Sequence, residues 1–261
     1  MTLARAVWLF ALLAPVLASV SASVLAWAGP LRSGSDFISA DLKARQADDA
    51  ANPGMLWVSE GAVLWQTPMG AAGKACTACH GEAAESMRGV AARYPRVDPK
   101  SGRLLNLEGR INLCRRSNQS AAPYAYESDE LLALTAFVAR QSEGLPMDVA
   151  VDGAAEPFLQ RGRAFFYRRR GQLNLSCAQC HDDNAGRPLR GDTISHGLAN
   201  GYPAYRLEWQ SLGSLHRRLR SCSFGVRAVR DDYGSQALVE LELFLAGRAR
   251  GVLIETPAIR P

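Results

Sequence analysis

The sequence predicts an all-α chain folded as two tandem modules of one layout. Three observations carry this expectation. Cys76-Thr77-Ala78-Cys79-His80 and Cys177-Ala178-Gln179-Cys180-His181 repeat a single five-residue pattern. A glycine stands at the same distance ahead of each pattern (Gly61 before Cys76, Gly162 before Cys177), and an aromatic follows each glycine at a matching place (Trp65 and Phe166). Apolar residues spaced three and four apart recur near the end of each half, and no alternating strand pattern is visible.

Taken in order, the chain opens on a leader. Arg5 gives a positive start, an apolar run follows from Ala6 to Val20 with Pro15 inside it, and Ala26-Trp27-Ala28 offers small residues for cleavage. These are the three parts of a secretory signal, residues 1–28, cut near Ala28. An uncleaved anchor is the competing reading; Pro15 and the small residues weigh against it. Residues 29–55 form an N-terminal extension expected to wrap the first module. The first module spans 56–144. Its closing helix is capped by Ser128, carries Asp129 and Glu130 at the positive end of the dipole, and stacks Leu131, Leu134 and Val138 on one face. Gly144 and Pro146 stop it. Residues 145–153 are the linker. The second module spans 154–261, with a closing helix capped by Ser235 that aligns Leu238, Leu241 and Leu245 and runs out by Gly251.

Composition narrows the classes. The 261 residues are 48% hydrophobic and 21% charged, which excludes a disordered tail and a collagen-like fibre. The net charge of +5 rests on 27 Arg and three Lys, yet no stretch interleaves basic residues with stacking aromatics, so nucleic acid is not an expected partner. After the leader no segment approaches 18 uninterrupted apolar residues, so no membrane span is expected in the mature protein. Export would place the chain in the periplasm, where spare thiols tend to oxidise.

The two C-x-x-C-H patterns decide the chemistry. Two thiols three residues apart on a helix add to the two vinyl groups of one porphyrin, and the adjacent imidazole turns beneath the ring to reach iron. A thioredoxin motif needs a βαβ context, and a zinc ribbon needs its cysteine pairs roughly 15–20 residues apart. Neither condition is met, since the pairs are 101 residues apart. Cys76 and Cys79, and Cys177 and Cys180, are therefore expected to attach two c-type haems, with His80 and His181 as iron ligands. The modules are cytochrome c-like.

A second axial ligand is found by elimination. Beyond His181 there is no Met or Lys; His196, His216 and Cys222 remain. Beyond His80 and within the first half the candidates are Met87, Lys100, Cys114 and Met147. Cysteine is the one type offered by both modules at matching places, as Cys114 after His80 and Cys222 after His181. The expected pairs are His80 with Cys114 and His181 with Cys222. Two alternatives stay open: a Cys114–Cys222 disulfide, and Met147 as ligand of the first iron. Thiolate donates charge and lowers the reduction potential.

Arginines crowd both thiols. Arg217, Arg218 and Arg220 precede Cys222, and Arg110, Arg115 and Arg116 flank Cys114. Cations stabilise thiolate and attract anions. Arg218 stands four residues before Cys222, so on a helix the two share a face and a guanidinium there can hold the oxygens of a small oxyanion. Pairing with haem propionates is the competing role for each of these arginines. Arg168, Arg169 and Arg170 read as a solvated face.

The two haem motifs, one further cysteine per module, the Arg217-Arg218-Leu219-Arg220-Ser221-Cys222-Ser223 stretch and the export signal together resemble the family of A subunits of the SoxAX cytochrome. The resemblance covers essentially the mature chain. It implies the diheme subunit of an L-cysteine S-thiosulfotransferase, which joins thiosulfate oxidatively to a cysteine of a SoxYZ carrier. It further implies a smaller SoxX-like cytochrome as partner and a cytochrome c as electron acceptor. By resemblance Cys114 is axial to the first haem. Cys222 is both axial to the second haem and the persulfide-bearing catalytic cysteine, and Arg218 binds substrate. The rival functions are a thiosulfate dehydrogenase making tetrathionate, a diheme electron carrier without catalysis, and a diheme peroxidase with an open iron.

Overall fold

Two pairs of crossed helices frame the molecule, one in each half, and each crossing is made possible by a glycine. The computed structural model describes residues 30–261; the expected leader, 1–28, lies outside the described residues. The first half contains α1 (Ala40–Ala47), α2 (Met55–Gln66), α3 (Thr77–His80), α4 (Ala83–Ser86), α5 (Leu107–Asn118) and α6 (Asp129–Arg140). The second contains α7 (Glu156–Tyr167), α8 (Cys177–His181), α9 (Leu215–Gly225) and α10 (Gln236–Arg248). Helix α2 packs on α6, and α7 packs on α10.

The repeat seen in the sequence becomes physical at these crossings. A Cβ on Gly61 would overlap the Ala133 carbonyl and the Phe137 side chain of α6. A Cβ on Gly162 would overlap the Glu240 carbonyl and stand 3.0 Å from the Phe244 Cβ of α10. Each glycine lets two helix backbones approach where any side chain would hold them apart. The closing helices behave as expected. Ser128 Oγ accepts from the Leu131 N–H at 3.3 Å, and Leu131, Leu134 and Val138 are buried. In α10, Leu238, Leu241 and Leu245 are buried, although Ser235 makes no side-chain cap bond. Burial of each such leucine stabilises by roughly 1.5–3 kcal/mol.

The chain is not all-α. Among the described residues seven short strands form three small sheets, so the fold is mixed α/β. β1 (Arg96–Val97) pairs with β2 (Leu104–Leu105), and β3 (Pro188–Leu189) pairs with β4 (Asp192–Thr193), both antiparallel. β5 (Ala204–Arg206) lies between antiparallel β6 (Ser211–Gly213) and parallel β7 (Ala258–Arg260). Strands of two or three residues are too short to show a period of two. The β5–β7 pairing joins segments far apart in the chain, as in Ala204 with Ala258. A reading of local periodicity has no access to either feature.

The N-terminal extension reaches further than the first module. Gln46 Oε1 accepts from the Ile259 N–H at 3.0 Å, and Asn52 Nδ2 donates to the Pro257 carbonyl at 2.8 Å. Arg140 holds Asp49 at 2.9 Å in the first half. Residues Leu31–Pro261 form one compact unit. Its central apolar cluster draws on Leu104, Met147, Val149, Leu198, Leu243 and Ile254, so residues of both halves and the segment between them share one core.

Candidate haem and thiol sites

The loop ahead of each C-x-x-C-H pattern is fastened to the end of the helix that carries the extra cysteine. Isolated bridges Met69–Lys74 and Arg170–Leu175 close equivalent loops in the two halves. Gly70 and Gly171 adopt φ of +66° and +68° inside them. A Cβ on Gly70 would overlap the Gln119 carbonyl at the end of α5, and one on Gly171 would overlap the Val226 carbonyl at the end of α9. Ala72 N–H donates to Gln119 O at 3.1 Å, and Leu173 N–H donates to Val226 O at 3.4 Å. Thus α5 brings Cys114 to the first pattern and α9 brings Cys222 to the second.

In the second half the donors converge. Ser176 caps α8 reciprocally with Gln179, which fixes the helix bearing Cys177, Cys180 and His181. His181 Nδ1 lies 2.7 Å from the Ser195 carbonyl. That bond places the proton on Nδ1 and leaves Nε2 as a ligand atom. Gly197, at φ +66°, packs on the imidazole, where a Cβ would stand 2.9 Å from the ring. The His181 side chain is among the groups whose proximity lowers the Cys222 thiol, so the imidazole and the thiol belong to one site. Burial pushes the Cys222 thiol up, but Arg218, His181 and Arg206 together outweigh it and hold it down at about 7. Burial and the neighbouring Cys222 push the Cys177 thiol up to about 11. A pair of vinyl-reactive thiols, one imidazole with a free nitrogen and one opposing thiolate are the donors a c-type haem requires, and this set fits that group.

The first half repeats the donors in a more open setting. Cys79 and His80 are exposed, and Cys76 and Cys114 are half-buried. Burial and then the adjacent Cys114 push the Cys76 thiol up. Trp65 lies 5.7 Å from the His80 ring and donates from Nε1 to the Gly81 carbonyl at 3.1 Å. Arg115 is tied to the following loop: its Nε donates to Ala122 O at 3.1 Å and its guanidinium covers the Tyr124 ring at 3.4 Å, while its charge still pulls the Cys76 thiol down against burial.

The remaining candidates are engaged elsewhere. Met147 is packed in the central apolar cluster. His196 accepts from the Arg32 N–H at 2.9 Å and meets Phe37 edge-on. His216 is buried, 3.1 Å from Glu242, accepts from the Gly234 N–H and stacks on Tyr126. Lys100 is exposed between β1 and β2. Met87 alone stays near, packed against the cluster that includes Cys76. All six cysteines are free thiols. Sequence reasoning missed Ser195, whose contribution is a backbone carbonyl, and Arg206, which is remote from Cys222 along the chain and enters the site only through β5.

With this geometry established, residues 60–147 match the family described as SoxA/TsdA, cytochrome c domain. The class is therefore that of haem c-binding cytochromes with a cytochrome c domain of this type. The chain is 42% identical over 226 residues to the L-cysteine S-thiosulfotransferase subunit SoxA of Pseudaminobacter salicylatoxidans, covering 86% of this chain and 79% of that relative. It is 39% identical to the protein of the same name from Rhodovulum sulfidophilum, over 88% and 80% of the two chains. The crystal structure of SoxXA from P. pantotrophus superposes with a TM-score of 0.86 at 34% identity, over 88% of this chain and 87% of that one. The chain belongs to the SoxA family.

Proposed function

We propose that the chain is the diheme subunit of a periplasmic L-cysteine S-thiosulfotransferase, with its thiosulfate chemistry at Cys222. The observation that carries the reading is the second site: one half-buried free thiol on α9, beside His181 and one helical turn after Arg218. Cys76 and Cys79 would attach one haem and Cys177 and Cys180 the other, and His80 and Cys114, and His181 and Cys222, would be the residues that hold the two irons. The modules run over 56–144 and 154–261, joined by 145–153. The partner is a SoxX-like cytochrome, in keeping with the SoxXA superposition. A SoxYZ-like carrier receives the product, and a cytochrome c takes the electrons. Export by a leader cut near Ala28 and a chain free of a membrane span in the mature form complete the reading. Among the described residues no helix is long and apolar enough to cross a membrane.

The chemistry follows from the residues. Arg218 lies one helical turn before Cys222 on α9, so its guanidinium orients the oxygens of thiosulfate while the terminal sulfur meets the thiolate. Joining that sulfur to the Cys222 sulfur forms one S–S bond and releases two electrons. The bound haem supplies a one-electron acceptor, and cytochrome c takes both electrons in turn. The carrier thiolate then attacks the sulfane sulfur, and Cys222 leaves as thiolate; this is a thiol–disulfide exchange and is redox-neutral. The Arg218 cation beside the thiol serves both halves, because it favours the thiolate that attacks and the thiolate that leaves.

The test supplies the haem-loaded complex with thiosulfate, oxidised cytochrome c and a carrier protein bearing one free cysteine. The expected product is the carrier with a thiosulfonate on that cysteine, seen by mass spectrometry, with two cytochromes reduced per carrier. Tetrathionate formed at the same rate without the carrier would identify a thiosulfate dehydrogenase instead.

A further inference from the structure

The sequence singled out one arginine near Cys222, but the structure buries a second. Arg206 closes β5, and its side chain is only 5% exposed. Its nearest carboxylates are distant for a buried charge: Nη2 lies 3.6 Å from Asp192 and 3.5 Å from Glu208. Both of those carboxylates are themselves open to solvent, at 37% and 65% exposure. The Arg206 Nε is buried and has no partner. A guanidinium in this state is under-compensated, because a buried charge is tolerated when it is paired at close range and its donors are used.

Its place in the fold sets it beside the helix that carries the reactive sulfur. β5 pairs with β6, and β6 runs through Ser214 directly into α9, which carries Arg218 and Cys222. Trp209, in the turn between these strands, lies 5.2 Å from the Arg206 guanidinium and 4.3 Å from that of Arg217, which braces the start of α9 against the hairpin. Asp192 and Glu208, the loose partners of Arg206, also stabilise the Arg218 cation. The same two carboxylates thus act on both guanidinium groups, and both cations act on one thiol.

We infer that Arg206 is a second oxyanion-binding residue, which together with Arg218 cradles the oxygen end of a doubly charged sulfur oxyanion beside Cys222. The inference rests on the reading of Cys222 as the site of thiosulfate chemistry. Two guanidinium groups match a dianion in charge, and the unused Nε supplies a donor that neither Asp192 nor Glu208 reaches. A dianion is held and a monoanion of similar size is not, because the second cation stays under-compensated in the monoanion complex. Lysine in place of Arg206 keeps the charge but loses the planar fork.

The experiment titrates thiosulfate calorimetrically into the haem-loaded complex carrying the parent chain, Arg206→Gln or Arg206→Lys, and measures KM with the same samples. In Arg206→Gln, Kd and KM rise about tenfold or more, the loss expected for a hydrogen bond to a charged group. In Arg206→Lys the rise is smaller, and in both variants the haem absorption spectrum is unchanged. An unaltered Kd in the haem-loaded glutamine variant overturns the inference. So does a disturbed haem spectrum with unaltered Kd, the signature of a propionate partner. If Arg206→Gln does not take up haem, Arg206→Lys decides by the same criterion. A parent complex that binds no thiosulfate overturns the functional reading as well, and so separates the two failures.

Discussion

Each half places an arginine four residues before its extra cysteine, yet the two arginines have different surroundings. Arg110, before Cys114, is 42% exposed at its side chain and pairs at 3.5 Å with Asp98, a carboxylate that is itself buried. Hydrogen bonds from Ser101 and the charge of Arg110 hold the Asp98 carboxyl below its usual range. Arg218, before Cys222, has Cys222 as its strongest electrostatic partner. The imidazoles differ likewise: His80 is exposed and lies tilted against Trp65, whereas His181 is half-buried and fixed by the Ser195 carbonyl. One spacing, copied twice, has yielded a cation whose main partner is the thiol in one half and a cation paired with a carboxylate in the other. Spacing within a helix sets which side chains share a face; the segment packed against that face sets whether a charge there is available for a ligand.

The comparison can be broken most directly at the cysteines. Cys222→Ala is expected to abolish thiosulfonate formation on the carrier while both haems stay covalently attached, as read by haem stain on a denaturing gel. Cys114→Ala is expected to keep turnover and to change only the absorption and EPR signals of the first haem. Equal losses in the two variants would erase the proposed division of labour. Next in size, Arg218→Ala is expected to lower kcat/KM for thiosulfate about a hundredfold, from the loss of a two-point contact to an anion. Arg110→Ala is expected to leave it within about twofold.

The glycine crossings sharpen the comparison from the other side, because there the halves should respond alike. Gly61→Ala and Gly162→Ala each push a methyl group into a facing helix backbone. Each is expected to cost about 1–3 kcal/mol, or a Tm lower by several degrees in thermal unfolding of the haem-loaded protein. A large loss in only one would show that the repeat is not symmetric in packing.

The smallest effect concerns Glu108. It is buried, and burial first, then the nearby Glu242, pushes its carboxyl from 4.5 up to about 8; His216 opposes them, and Glu127 and Tyr126 complete its surroundings. A carboxyl raised on folding stabilises the fold below its unfolded pKa, and that stability is lost as the pH climbs through the folded value. Glu108→Gln should therefore be near neutral below pH 4.5 and more stable than the parent as the pH approaches 8. The measurement is Tm against pH. A constant difference across that window would show that Glu108 does not take up the proton.

Much of this was legible in the sequence because it is local. The two C-x-x-C-H patterns carry their chemistry within five residues. Ser128 with Leu131, Leu134 and Val138 specifies a capped, one-sided helix within a dozen. The matching positions of Gly61 and Gly162 mark the repeat. What was not legible depends on distant partners. The parallel pairing of β5 with β7 has no local signal, and with it went the placement of Arg206. The neutralisation of Arg110 depends on a hairpin that folds Asp98 against α5. Ser235 has the residue type of a cap, but its hydroxyl makes no such bond.

The buried polar knot at the junction of the halves also follows the repeat. Glu108 stands six residues before Cys114 and His216 six before Cys222, so the two cysteine-bearing helices send equivalent residues to the same place. There Glu242 receives both His216, at 3.1 Å, and Asn106, at 3.2 Å, and Asn106 is the cap of α5. The helices that present the two thiols are thus rooted in one shared anchorage. A rotation of either about its base is felt by the other, so the two thiol-bearing helices share a common mechanical frame.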